Sequence, residues 1–138
     1  MDEKHIEWSP RFELGIPEVD LQHHYFADLI NRLLEELGTA DTRYQKRLIR
    51  ELDAYARFHF ISEENLMFRA GYPQLDEHAR HHFALIDELN VRETRFAHGQ
   101  IAATDITDFL IAWFLHHTAR EDRSFADFLQ AGGDDPVA

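Results

Sequence analysis

Four successive stretches of this chain carry apolar residues at alternating steps of three and four, and every one of the four stripes contains histidine. Such steps trace one face of an α-helix, whereas a half-buried strand alternates at every second residue. The first stripe, from about Val19 to Leu37, reads Val19, His23, Phe26, Ile30, Leu33 and Leu37. The second, from about Asp41 to Ala70, reads Leu48, Leu52, Tyr55, His59, Glu63 and Leu66. The third, from about Pro73 to Ala97, reads Leu75, His78, His82, Leu85 or Ile86, Leu89 and Phe96. The fourth, from about Asp105 to Leu129, reads Ile106, Leu110, Trp113, His117 and Phe128. A helix that turns such a face to a core buries imidazole and carboxylate with it. An unpaired buried carboxylate costs several kcal/mol or neutralises itself, so the partners must come from the other helices.

Breakers separate the stretches: "GIP" at 15–17, "GTAD" at 38–41, "AGYP" at 70–73, "HGQIAATD" at 98–105 and "AGGDDP" from 131. Short connections make successive helices antiparallel neighbours. The expected architecture is all-α, a single domain spanning 1–138: an up-down-up-down antiparallel four-helix bundle at 18–130, an N-terminal arm at 1–17 bearing Ile6, Trp8 and Phe12, and a short tail. With 44% hydrophobic and 12% aromatic residues, 138 residues suffice for a packed core.

The charge balance narrows the partners. Against 14 basic residues stand 26 acidic ones, a formal charge of −12, which repels phosphate backbones and anionic membrane surfaces. Neither nucleic acid nor a membrane is an expected partner. No apolar run approaches ~18 residues, and "MDEKHIEWSP" lacks the apolar region of a signal peptide, so a cytoplasmic location is expected. There is no cysteine, hence no disulfide and no thiolate ligand, and any metal must be held by nitrogen and oxygen. The excess is in histidine, of which there are 10.

A lone histidine on an apolar face is usually a hydrogen-bonded core residue. Here the spacings combine. His59 and Glu63 are four apart, as are His78 and His82, so each pair projects two donors from one helical face. His23 and His117 add an imidazole from each remaining helix. Six polar groups that converge without a cation would leave several unsatisfied, at a cost beyond the ~5–15 kcal/mol by which a domain is stable. A bound cation removes that cost.

These residues carry a resemblance. Trp8, "GIPEVDLQH" ending in His23, "HFISEENLM" with His59 and Glu63, "GYPQLDEHARHH" with His78 and His82, and "WFLHHTARED" with His117 and Asp122 together resemble the hemerythrins, in particular their bacterial single-domain members, over nearly the whole chain. The resemblance implies two iron ions per chain (Fe2+/Fe3+) joined by an oxo or hydroxo bridge. It implies His78, His82 and His117 on one iron, His23 and His59 on the other, and Glu63 and Asp122 spanning the pair. Octahedral iron takes about six ligands, so the two-histidine iron is left one short. The implied function is reversible binding of dioxygen there, for carriage, storage or delivery. The implied oxygen pocket is apolar and comprises Trp8, Phe60, Trp113, Phe114 and Thr118. A centre with one open position also suits an enzyme consuming oxygen, peroxide or nitric oxide, or an oxygen or redox sensor. No acid or base beyond the implied ligands stands in the seams, Tyr55 and Thr118 excepted.

Several local expectations follow. His117 and Asp122 are five residues apart, which on a regular helix turns the second side chain roughly 140° from the first, so a π-like widening is predicted near Arg120. His23, His82 and His117 each adjoin a second histidine, and neighbours ~100° apart cannot share a face. The wheel selects 23, 82 and 117, leaving His24, His81 and His116, with His5 and His98, toward solvent. The register His116 with Glu121 has the same spacing but moves Trp113 off the position one turn before the ligand. Thr118 and Phe114 stand where relatives carry aliphatics, and a Thr118 hydroxyl beside the open iron implies faster autoxidation. Asp20 and Gln22 are candidates to orient imidazoles, with helix capping an alternative for Asp20.

Overall fold

The computed structural model describes residues 6–37 and 41–132. His5, residues 38–40 of the first inter-helix connection and the tail from 133 lie outside them. Helix α1 is Pro17–Glu36, α2 is Thr42–Ala70, α3 is Leu75–Ala97 and α4 is Ala103–His117. A π-helical turn, Thr118–Asp122, leads into α5, Arg123–Gln130. Thr118 (φ −62°, ψ −40°) and Asp122 (φ −70°, ψ −33°) keep right-handed helical backbone, so α4, the π turn and α5 form one continuous fourth rod. Helix α1 packs on α2 and α4, and α3 packs on the same two, closing the four-helix bundle that the seams predicted.

The ends follow from local chemistry. Pro17 opens α1 at the position where a missing N–H costs nothing. The Asp41 side chain accepts the Tyr44 N–H at 3.2 Å and caps α2. Gly71 closes α2 in the left-handed region (φ +70°), its N–H donating to the Phe68 carbonyl at 3.2 Å. Asp105 accepts the Ala102 N–H at 3.0 Å at the start of α4. Relative to the sequence reading, α1 and α4 begin two residues earlier and α3 two residues later.

Two apolar clusters fill the bundle. The larger gathers Phe26, Ile30, Leu33, Leu52, Ala56, Leu89, Ile106 and Leu110, with Ile6 and Phe12 of the arm. The smaller gathers Leu14, Ile16, Val19, Leu66, Met67, Tyr72, Phe125 and Ala126. Tyr55, Leu75, Phe96, Trp113 and Phe128, placed on the seams by periodicity, are only half-buried. On α2 the deepest positions are instead Ala56 and Met67, because this helix lies between α1 and α3 and buries a wider arc than one stripe. The arm is fastened at three points. Asn31 receives the Ile6 N–H at 2.8 Å and donates to its carbonyl at 2.9 Å. Asp20 accepts the N–H groups of Leu14 and Gly15 at 2.8 and 3.1 Å. Arg123 donates to the carbonyls of Arg11 and Glu13, both at 3.0 Å.

Candidate metal centre

Between the two apolar clusters lies a polar one. His23 from α1, His59 and Glu63 from α2, His78 and His82 from α3, His117 from α4 and Asp122 from the π turn are all buried, none more than 4% exposed. His24, His81, His98 and His116 are exposed, as the helical wheel required.

The carboxylates divide this cluster in two. Glu63 Oε1 lies 3.1 Å from both His78 Nε2 and His82 Nε2, whereas its Oε2 faces His23 Nε2 and His59 Nε2, each at 3.9 Å. Asp122 Oδ1 lies 3.0 Å from His78 Nε2 and 3.1 Å from His117 Nε2, while Oδ2 is 3.0 Å from His23 Nε2. Each carboxylate therefore offers one oxygen to a three-histidine group, His78, His82 and His117, and the other to a two-histidine group, His23 and His59. Within each group the donor atoms lie within 4.8 Å of one another.

The i+5 spacing is met by the backbone. The predicted widening is present as the π turn Thr118–Asp122, and it delivers Asp122 to the face that holds His117. An α-helical turn would present Glu121 there instead; Glu121 is half-buried and its carboxylate lies 4.0 Å from His81.

Hydrogen bonds at the outer ring nitrogens set the imidazoles. His59 Nδ1 lies 2.7 Å from Gln22 Oε1, an acceptor, so Nδ1 carries the proton and Nε2 presents its lone pair inward. Gln22 is held in turn by donating to Ser62 Oγ at 3.1 Å. His82 Nδ1 donates likewise to Glu64 Oε2 at 2.8 Å. Gln22 thus acts as expected, Asp20 serves the arm rather than an imidazole, and Glu64 is a contributor that periodicity did not single out. The only sequence signal for it is adjacency to Glu63, which rotates it ~100° toward α3.

Aromatic rings border the cluster unevenly. Phe60 stacks on His82 (3.9 Å between centroids, 7° between planes), and Trp113 stacks on His117 (4.3 Å, 14°). Phe114 meets His23 edge-on at 5.8 Å. Trp8 stands apart: it lies 4.5 Å from the exposed His24 and 5.2 Å from Phe12, and its indole N–H donates to Glu13. Thr118 is buried and its hydroxyl has no partner.

The charge states show what is missing. Burial drives the His59 pKa down to about 3. For His78 burial also acts downward, but hydrogen bonds to Asp122 and Glu63 overcome it and lift the pKa to about 10. Burial and the neighbouring Asp122 both oppose ionisation of Glu63, yet the hydrogen bond from His78 and the close approach of the His82 imidazole bring it down to about 2. Protons on imidazole thus stand in for cations, and they do so incompletely. Glu63 Oε2 is buried with no hydrogen bond, and Asp122 Oδ2, His82 Nε2 and His117 Nε2, though 3.0–3.1 Å from an opposite group, are buried without a hydrogen bond of acceptable geometry. Orphaned oxygens and ring nitrogens pointing at common centres are the donor set of a metal of imidazole and carboxylate preference. The residues present fit such a cation.

A four-helix bundle whose core holds five imidazoles and two carboxylates in two adjoining groups defines a metal-binding bundle of histidine-rich type. Residues 14–129 match the model of the hemerythrin HHE cation binding domain. The chain is 30% identical to the bacteriohemerythrin of Clostridium acetobutylicum, an alignment covering 87% of this chain and 98% of the relative. It is 30% identical to that of Stenotrophomonas maltophilia (91% and 82%) and 28% identical to that of Methylococcus capsulatus (91% and 98%). A crystal structure of wild-type hemerythrin superposes with a TM-score of 0.83 at 24% identity, covering 88% of this chain and 95% of that one. The chain belongs to the hemerythrin family of non-haem iron, dioxygen-binding proteins. Among the described residues no helix is long and apolar enough to cross a membrane.

Proposed function

We propose that the protein holds two iron ions joined by a solvent-derived bridge, with His78, His82 and His117 on one, His23 and His59 on the other, and Glu63 and Asp122 across both. It binds dioxygen reversibly at the two-histidine iron, for carriage, storage or delivery. The observation that carries this reading is the split of each carboxylate, one oxygen to each histidine group. Three imidazoles, two carboxylate oxygens and a bridge make six ligands; two imidazoles with the same additions make five, one short of an octahedron. Such an iron pair supplies reversible two-electron chemistry toward dioxygen. The chain's own residues do the rest. Gln22 and Glu64 fix ring orientation and tautomer, Phe114 borders the two-histidine group, and the two apolar clusters keep bulk water out.

Binding rather than turnover fits the surroundings. The Tyr55 phenol donates to the Gln22 carbonyl at 3.3 Å, and burial pushes its pKa up to about 12, so it holds its proton rather than passing it on. Metal analysis and an optical spectrum test the proposal. Two irons per chain are expected, with a visible charge-transfer band that appears under air and disappears under argon through repeated cycles. One iron per chain, or sustained turnover with peroxide, overturns it.

A further inference from the structure

Helix α2 carries a second apolar seam on the side away from the bundle. Ala54, Phe58, Ile61, Asn65 and Phe68 follow one another at steps of four, three, four and three, and all five are exposed, Phe58 by 55%, Ile61 by 61% and Phe68 by 75%. Steps of this kind are the core positions of a coiled coil, and among the described residues no helix covers them. The seam is widened on both sides. Ile61 and Phe83 (74% exposed) line one cleft between α2 and α3, and the Gln22–Ser62 hydrogen bond brings the neighbouring Leu21 (72% exposed) alongside from α1. With large side chains of ~150–250 Å² each, these five residues expose roughly 600 Å² of contiguous apolar surface, at the top of the range for a monomer.

We propose that this face is covered by a second copy of the chain, α2 against α2 in a parallel, in-register, two-fold pair. Three features of the seam select that occupant. A single Asn among apolar core positions is the device that specifies parallel, in-register dimers, because each Asn can hydrogen-bond its twin, and Asn65 occupies such a position. Glu64 and Arg69 sit on opposite flanks five residues apart, the spacing at which one copy's acid meets the other's base across a parallel pair. One oxygen of Glu64 already holds His82, leaving the other for the incoming guanidinium. Thirdly, the α3 flank of one copy faces the α1 flank of the other, bringing Phe83 toward Leu21. The exposed area is roughly three-quarters of the ~800 Å² per partner of an ordinary specific interface, and the flanking polar residues supply the remainder. Such a pair also overlies the cleft above Glu64 and His82.

Sedimentation of the iron-loaded protein from about 5 to 200 μM reads this directly. Twice the single-chain mass is expected at the upper end, reverting to one chain in Ile61→Glu, with helical circular dichroism unchanged because Ile61 is outside the core. Since the chain has no cysteine, Ile61→Cys and Phe68→Cys report orientation. In a parallel pair both form inter-chain disulfides. In an antiparallel pair centred near Ile61, twin Phe68→Cys residues lie roughly 20 Å apart and do not. A single-chain mass at every concentration, or a disulfide through 61 and not through 68, overturns the proposal.

Discussion

Thr118 is the residue least reconciled with its surroundings. Its hydroxyl is buried without a partner, and an unsatisfied buried hydroxyl costs about 1–3 kcal/mol. Thr118→Val removes that cost at nearly constant volume. The metal-free variant is expected to melt a few degrees higher, and the oxygenated form to autoxidise more slowly; equal rates in the two proteins would show that the hydroxyl does not reach the ligand. Glu64 makes the opposite case, a polar group used to full effect. Glu64→Gln replaces the carboxylate that receives the His82 N–H with a neutral acceptor, and iron retention against a chelator is expected to fall about tenfold, the usual cost of losing a partner behind a metal-bound imidazole. Sequence periodicity separated His23, His82 and His117 from the histidines beside them because 100° per residue suffices to tell inside from outside. It could not name Glu64, because the wheel tells which face a residue occupies and not which neighbour it meets there.

At the scale of the element, the π turn decides the site. Asp122 enters the cluster because one extra residue is accommodated between His117 and the start of α5. A regular α-helical turn after His117 would bring Glu121, four residues on, to the cluster instead. Asp122 was legible only from the family's pattern, and the widened turn only as the geometry that pattern demands. The double variant Glu121→Asp with Asp122→Ala keeps a carboxylate in the turn but moves it to the α-helical spacing. Helicity is expected to persist while metal uptake is lost, measured by iron content after reconstitution. The arm shows the reverse limit. Ile6 and Phe12 join the larger apolar cluster, yet Trp8, expected in the oxygen pocket, lies with His24 rather than with the buried histidines, because the clasps from Asn31 and Arg123 that set the arm's path join residues far apart in sequence.

For the whole molecule the governing fact is that protons and metal compete for one cluster. The sequence disclosed the fold because all four seams agree on one architecture. It disclosed the need for a cation because no seam could satisfy its own polar residues. In the metal-free state His78 keeps a proton up to about pH 10, its bonds to Asp122 and Glu63 outweighing burial. A cation must displace that proton, so affinity rises with pH, by about tenfold per unit for each proton released, throughout the range below 10. Titration with Zn2+ as a redox-inert probe at pH 6, 7 and 8 is expected to show at least that slope, together with proton release in calorimetry; a flat profile would mean that the metal-free site is unprotonated.

The apolar clusters on either side of the polar one treat small solutes differently. An uncharged diatomic gas dissolves in hydrocarbon and can pass through brief gaps opened by side-chain motion, on the nanosecond scale of such fluctuations. A hydrated ion or a chelator carries charge, and crossing the same clusters would strip it of its hydration at a cost of several kcal/mol. The two apolar clusters thereby favour passage of a small uncharged ligand over passage of an ion.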